Sequence, residues 1–279
     1  MAGKVSLPSF RLGQIEVTPL LDGPLPFSLD RIPDPLQRQE AQRLTAGSAV
    51  LAMPVYSFLL RFRDKCVLID TGSGRLGYDS LGRLPERLEE AGVDPGEVTH
   101  ILLTHLHRDH YGGMVSGDSA AFPRATLFIH KPEAEFWLDA DVSIMPARAQ
   151  RAVEEVRRVV SLYSDRVRRV GEEEVLDGIC ALPSPGHTPG HACWQISSEG
   201  NKLLAWGDVI HVSQIHLPAP HIAMEYDLDP GMALKTRLAI LDWVTANSVI
   251  VAGAHLPEPG IWKIVKRDHR CELLPAEVI

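Results

Sequence analysis

Apolar residues along the first 130 positions come mostly in short runs separated by polar turns. Ile15, Val17 and Leu20 mark residues 9–22 as a first strand or hairpin, and Val55–Leu60 and Cys66–Asp70 flank a polar RFRDK turn as a second. Val98–Leu103 and Thr126–His130 are further strands. Helical spacing appears at Leu84, Leu88 and Ala91, stopped by Gly92, and a short helix is expected over residues 37–46. The proline-rich stretch from Pro24 to Pro35 predicts irregular backbone, TGSGRLGYDSLG predicts a loop, and KPEAEFWLD opens a helix or turn.

Residues 147–169 are the longest amphipathic stretch, with Val153, Val156, Val160 and Tyr163 on one face. The second half repeats the alternation: strands at 178–182, 192–196 and 203–206, a helix at 230–246, a strand at 248–251 and a last one at 262–265. Strands interleaved with helices in both halves predict an α/β sandwich. No linker divides the chain, so one domain is expected over residues 1–279, with 1–48 as an N-terminal extension that serves as a lid or a dimer arm.

Composition narrows the function. A formal net charge of -8 argues against a nucleic-acid surface. No apolar stretch approaches a membrane span, and the N-terminus lacks the apolar core of an export signal, so a soluble cytoplasmic protein is expected. Cys66, Cys180, Cys193 and Cys271 are widely spaced and read as buried, reduced thiols.

Chemistry concentrates in THLHRDHYGG, residues 104–113, directly behind Ile101–Leu103. His105 and His107 are two apart and point the same way from an extended backbone, while Asp109 and His110 follow where Gly112–Gly113 allow a turn. Imidazole and carboxylate donors suit zinc and its neighbours, and a turn that splits four donors into two pairs favours two ions over one. His187 in PGHTPGH, Asp208 in WGD and His255 in GAH each follow an apolar strand, where sites assemble in layered folds. Asp70 either braces a histidine or caps its own turn. His191 reads as a hydrogen-bonded structural histidine, and His211 either reaches the pocket or supports it. Trp137 and Tyr78 are candidate walls for an apolar substrate, with Phe136 more ordinary packing.

THLHRDH, PGHTPGH, WGD and GAH, in this order behind CVLIDTG, resemble the motif series of the metallo-β-lactamase-fold hydrolases, over residues 50–258. IDTGSGRLGYDSLGRLPERLEEAGVDPGEVTHILLTH, AFPRATLFIHKPEAEFWL and GDVIHV are similar to the methyl parathion hydrolase branch and its lactonase and aryl-esterase relatives. The resemblance implies a single-domain, four-layer αββα sandwich with two divalent metal ions, most readily zinc, with manganese, cobalt or iron also compatible. It implies that His105, His107 and His187 hold one ion, that Asp109, His110 and His255 hold the other, and that Asp208 bridges them. Asp208 sets the chain apart from β-lactam-cleaving members, and His107 stands where iron redox members carry glutamate. The implied activity is hydrolysis of a lactone, an aryl or alkyl ester or a phosphotriester by a hydroxide held between the metals, with Asp109 and Asp208 orienting it. The substrate is small, uncharged and fairly apolar, and the enzyme is a homodimer. A glyoxalase II-like thioesterase is the alternative, with KIVKRDHR as its basic cluster, followed by a metal-binding protein without turnover.

Overall fold

The computed structural model describes residues 7–48, 50–75, 78–144, 147–268 and 270–276. In chain order, β1 (Phe10–Leu12), β2 (Ile15–Ser28), β3 (Val50–Phe62), β4 (Lys65–Ile69) and β5 (His100–Leu102) precede a small hairpin, β6 (Val115–Ser116) and β7 (Ser119–Ala120). With β8 (Thr126–His130) and β9 (Val167–Val170), the first five form a sheet ordered β1-β2-β3-β4-β5-β8-β9. The second sheet runs in chain order through β10 (Glu174–Leu176), β11 (Ile179–Pro183), β12 (Ala192–Ser198), β13 (Asn201–Ala205), β14 (Ile250–Ala252), β15 (Ile261–Arg267) and β16 (Arg270–Pro275).

Alternation along the strands builds the layers. One face of each sheet enters a shared core, where Val17, Phe58, Leu60 and Ile69 meet Ile179, Trp194, Ile196 and Leu203. The opposite face of the first sheet packs Leu59, Leu68 and Ile101 on Leu84 and Leu88 of one helix and Val153, Val156 and Val160 of another. The opposite face of the second packs Leu204 and Val251 on Ile240, Leu241 and Val244 of helix Pro230–Ala246. Helix, sheet, sheet and helix make the four-layer αββα sandwich.

Four expectations are corrected. The prolines do not break β2, which extends through Pro24 and Pro26 to Ser28. Beyond Val17 this strand pairs only with β3, and a bulge between Leu21 and Gly23 keeps Pro19, Pro24 and Pro26 opposite Phe58, Pro54 and Ala52. The three prolines therefore fall in one alternating set on an edge strand, where a missing N–H costs no ladder bond. The helix expected over 147–169 ends at Ser161, a turn at Ser164–Arg166 follows, and Val167–Val170 is β9. Residues 262–265 are not the last strand, because β16 pairs with β15 behind them. Among the cysteines Cys193 alone is buried; Cys66, Cys180 and Cys271 are half-buried, and all four are free thiols. Of the expected glycine-rich loop, residues 76 and 77 lie outside the described residues. Among the described residues, no helix is long and apolar enough to cross a membrane.

Candidate dimetal site

Donors gather where β4, β5, β13 and β14 release the chain, joined by the turn after β11. Asp70, just past β4, takes a left-handed backbone (φ 55°), a conformation that aspartate tolerates. Its carboxylate accepts the Thr104 N–H and the Thr104 hydroxyl, each at 2.8 Å, which fixes how the chain leaves β5. His107 then starts the short helix Arg108–Tyr111, and that turn swings His110 back toward His105, with ring centroids 4.1 Å apart. The glycines after it serve close approach rather than flexibility. A Cβ at Gly112 would stand 2.1 Å from the Ser73 carbonyl oxygen, and one at Gly113 would stand 2.0 Å from that of Thr71.

Asp208 sits at the centre. Its Oδ2 lies 3.2 Å from His187 Nε2 and 3.6 Å from His105 Nε2. Its Oδ1 lies 3.0 Å from His110 Nε2 and 3.2 Å from His255 Nε2. Asp109 Oδ2 is 3.6 Å from His255 and 3.8 Å from His110, and His107 Nδ1 is 2.8 Å from His187 Nε2. The seven residues thus form two donor groups, His105, His107, His187 and Asp208 in one and Asp109, His110 and His255 in the other. Asp208 faces both.

The hydrogen bonds on the far side of each ring assign its tautomer. His110 Nδ1–H donates to Asp70 at 2.8 Å, His187 Nδ1–H to Asp227 at 3.0 Å, and His255 Nδ1–H to the Pro54 carbonyl at 2.7 Å. His105 Nδ1–H donates to the Thr104 hydroxyl at 3.1 Å, which itself donates to Asp70. Each ring therefore turns its Nε2 inward, that of His187 facing His107 Nδ1 at 2.8 Å. The Nε2 atoms of His105, His110 and His255, and Oδ1 of Asp208, are buried without hydrogen-bond partners among the described residues. Buried lone pairs without donors are costly, and divalent cations satisfy them. The charge balance agrees. Burial raises the Asp208 carboxyl, yet the histidines around it hold it well below the usual carboxylate range. Burial lowers His187, but Asp208 and Asp227 outweigh that and hold it at about 9. The cluster attracts positive charge, and the donor set fits metal.

Supporting groups explain the rigidity. Asp227 is held by Arg237, a buried guanidinium 3.6 Å away that also donates to the carbonyls of Val209 and Pro220. His191 donates from Nδ1 to the Ser184 carbonyl and accepts the Asp208 N–H on Nε2, so it orients the central carboxylate from behind. Gly207 permits this: a Cβ there would meet His191 Nε2 at 2.6 Å.

A cleft of about 370 Å³ opens over the donors. Trp137 and Tyr78 line it, as do His211, Leu25, Phe27, Met53 and Tyr226. Trp137 is carried on a π turn, Glu135–Asp139, and its Nε1–H donates to Glu133. Phe136 is half-buried against the helical core beneath. His211 reaches the interior, with Nε2 3.2 Å from Asp208 Oδ2. Sequence reasoning missed Asp227, Tyr226 and Glu133, which lie in MEYDLDP and KPEAEF, stretches without a metal-motif spacing.

Residues 50–255 match the model of the metallo-beta-lactamase superfamily. The chain is 27% identical over 257 residues to the N-acyl homoserine lactonase of Bacillus thuringiensis, covering 83% of this chain and 89% of that protein. A Bacillus sp N-acyl homoserine lactonase is also 27% identical over 175 residues, 56% of this chain and 63% of its own length. Among solved structures, AbOPH, a hydrolase in the beta-lactamase superfamily, superposes with a TM-score of 0.88 at 28% identity, covering 97% of this chain and 98% of its own. AidC, a dizinc quorum-quenching lactonase in complex with a product, superposes with a TM-score of 0.89 at 25% identity, covering 98% of both chains. Matched by that family model over residues 50–255, with the motif series seated on the strand ends of an αββα sandwich, the chain belongs to the metallo-beta-lactamase superfamily.

Proposed function

We propose that the protein is a dizinc hydrolase of neutral carboxylic esters, with N-acyl homoserine lactones as its foremost substrate class. The observation that carries this reading is Asp208, whose two oxygens face two groups of buried imidazole nitrogens at the floor of a largely apolar cleft. The names of the lactonase relatives support the substrate class.

In this proposal His105, His107 and His187 would hold one zinc ion and Asp109, His110 and His255 the second, with Asp208 placed to serve both. When bound, such a pair supplies Lewis acidity at the ester carbonyl and acidifies water at neutral pH. Asp70 and Asp227 keep the donor tautomers of His110 and His187. Asp109 and Asp208 both line the cleft, and Asp109, whose side chain is 21% exposed against 4% for Asp208, is the more accessible. It takes the proton that water loses on adding to the carbonyl carbon and returns it to the alkoxide oxygen as the C–O bond breaks. Leu25, Phe27, Met53 and Trp137 wall the acyl chain away from water.

Within residues 1–48, β1 and β2 belong to the first sheet, and the lid reading attaches to the far end of β2 and the turn after it, where Leu25, Pro26, Phe27 and Arg31 line the cleft. A cytoplasmic homodimer is part of the same reading, and light scattering of the purified protein tests its mass. Aryl esters and phosphotriesters, the substrates of the methyl parathion hydrolase likeness, are the second reading, since the cleft suits any uncharged ester. The thioesterase alternative loses its support: Lys263 and Lys266 line a separate surface hollow with Asp242, away from the cleft.

The test is kcat/KM on one metal-quantified preparation for a long-chain acyl-homoserine lactone, an aryl ester and a methyl phosphotriester, with a chelated control. Lactone turnover ahead by orders of magnitude and abolished by chelation is expected. Bound zinc without turnover of any ester overturns the hydrolase reading.

A further inference from the structure

Tyr226, like His211 beside it, lines the cleft with a buried polar atom that has no hydrogen-bond partner among the described residues. Its ring lies 4.9 Å from that of His211 and 6.0 Å from that of His187, one side chain away from the donors around Asp208. Its hydroxyl is buried, yet it has no hydrogen-bond partner among the described residues. A phenol withdrawn from water without an acceptor costs about 1–3 kcal/mol, so a persistent orphan at this depth needs a reason.

The neighbouring carboxylates face other groups. Asp227, next in the chain, has Oδ1 on His187 and Oδ2 accepting the Met224 N–H at 3.2 Å, with Arg237 beside it. Asp208 turns both oxygens toward the nitrogens of the two donor groups and not toward the phenol. Nor can the hydroxyl readily swing to a new partner, because its loop is tied at both ends. The Glu225 N–H donates to the Arg31 carbonyl at 2.8 Å, the Glu225 carboxylate pairs with the Arg31 guanidinium, and the Leu228 N–H donates to the His187 carbonyl at 3.1 Å. The ring also packs against the apolar cluster, with Phe27, Met53 and Ile215 among its members, that joins the end of β2 to the 212–224 segment.

Resting on the hydrolase reading above, we propose that Tyr226 is a substrate-contact residue whose hydroxyl donates to a carbonyl oxygen of the bound ester or lactone. The ligand completes the hydrogen bond that the protein leaves open. Burial, reinforced by the carboxylates of Asp208 and Asp227, pushes the phenol well above its ordinary value, so it acts as a neutral donor and not as a phenolate nucleophile. A donor held in place before the substrate arrives contributes to binding and turnover without reorganisation.

The experiment compares wild type with Tyr226→Phe as metal-loaded full-length chains, using N-hexanoyl-homoserine lactone as substrate and N-hexanoyl-homoserine as competing product. The expected result is about a tenfold fall in kcat/KM and a matching rise in the product inhibition constant, the loss of one hydrogen bond. Zinc per chain should be unchanged, and the urea midpoint unchanged or higher, since the variant buries no orphan hydroxyl. A purely structural tyrosine would instead lower the midpoint or the zinc content. Wild-type turnover with equal kcat/KM in the variant overturns the Tyr226 role alone. No turnover by either protein of any ester overturns the hydrolase reading, and the Tyr226 role with it.

Discussion

Glu133 and Leu106 are joined by a 2.7 Å bond from the Leu106 N–H to one carboxylate oxygen, so a buried glutamate holds the backbone between His105 and His107. The same oxygen accepts the Trp137 Nε1–H at 2.8 Å, and the other accepts the Thr188 hydroxyl at 2.6 Å and the Gly190 N–H at 3.2 Å. One side chain thus fastens the HLH segment, the His187 loop and the aromatic wall of the cleft.

Glu133→Gln turns an amide N–H toward two of those four donors. Each buried donor left unpaired costs about 1–3 kcal/mol, so a loss of about 2–5 kcal/mol in unfolding free energy is expected. Urea denaturation of the metal-loaded protein measures it. A midpoint equal to wild type would show that Glu133 does not fasten these segments.

The two carboxylate braces bond directly to different donor groups, Asp70 to His110 and Asp227 to His187, while Asp70 reaches His105 only at one remove, through the Thr104 hydroxyl. Asp70→Asn and Asp227→Asn should each weaken metal retention about 10- to 100-fold. Competition with a chromophoric chelator should show one ion leaving early in each variant while the other stays near wild type. Equal weakening of both ions in both variants would mean that the donor groups are not separable.

His191 predicts a pH dependence of stability. Burial pushes its imidazole down to about 3, while in the unfolded chain it titrates near 6.5. Between these values the unfolded state binds a proton that the folded state refuses. The contribution is therefore complete above about 6.5 and lost as pH falls toward 3, at up to about 1.4 kcal/mol per pH unit. His191→Gln, which keeps a donor for Ser184 and an acceptor for Asp208 without titrating, should flatten this slope by as much as one proton. Urea unfolding at pH 7.5, 6 and 5 reads it directly.

Legibility in the sequence followed the distance over which each residue acts. HxHxDH and the three later donors were readable because metal chemistry restricts residue type and each lies directly behind an apolar run. The layered fold was readable because strands and helices alternate in period. Asp227 was not, because it meets His187 across 40 positions through a loop with no repeat or spacing of its own. Glu133 carries no signal of its own in KPEAEF, since only the folded chain brings Leu106, Thr188 and Gly190 to it. The prolines of β2 misled because edge pairing is tertiary information. The valines after Ser161 misled because a helical period and a short strand share the same apolar positions over so few residues.

Leu25 offers a test of the cleft as an acyl-chain site. It is half-buried on β2 and lines the cleft with Phe27 and Met53, and its exposure makes truncation milder than at either neighbour. Each methylene moved from water into an apolar wall contributes about 0.8 kcal/mol. The wild-type KM for N-acyl homoserine lactones should therefore fall about three- to fourfold per added methylene until the wall is covered. Leu25→Ala should shorten that series, raising KM for decanoyl substrates while leaving butanoyl substrates, zinc content and thermal midpoint near wild type. A uniform rise in KM at every chain length would place Leu25 outside the acyl path, and a chain-length series that is already flat in the wild type would move the apolar wall to the leaving-group side of the ester.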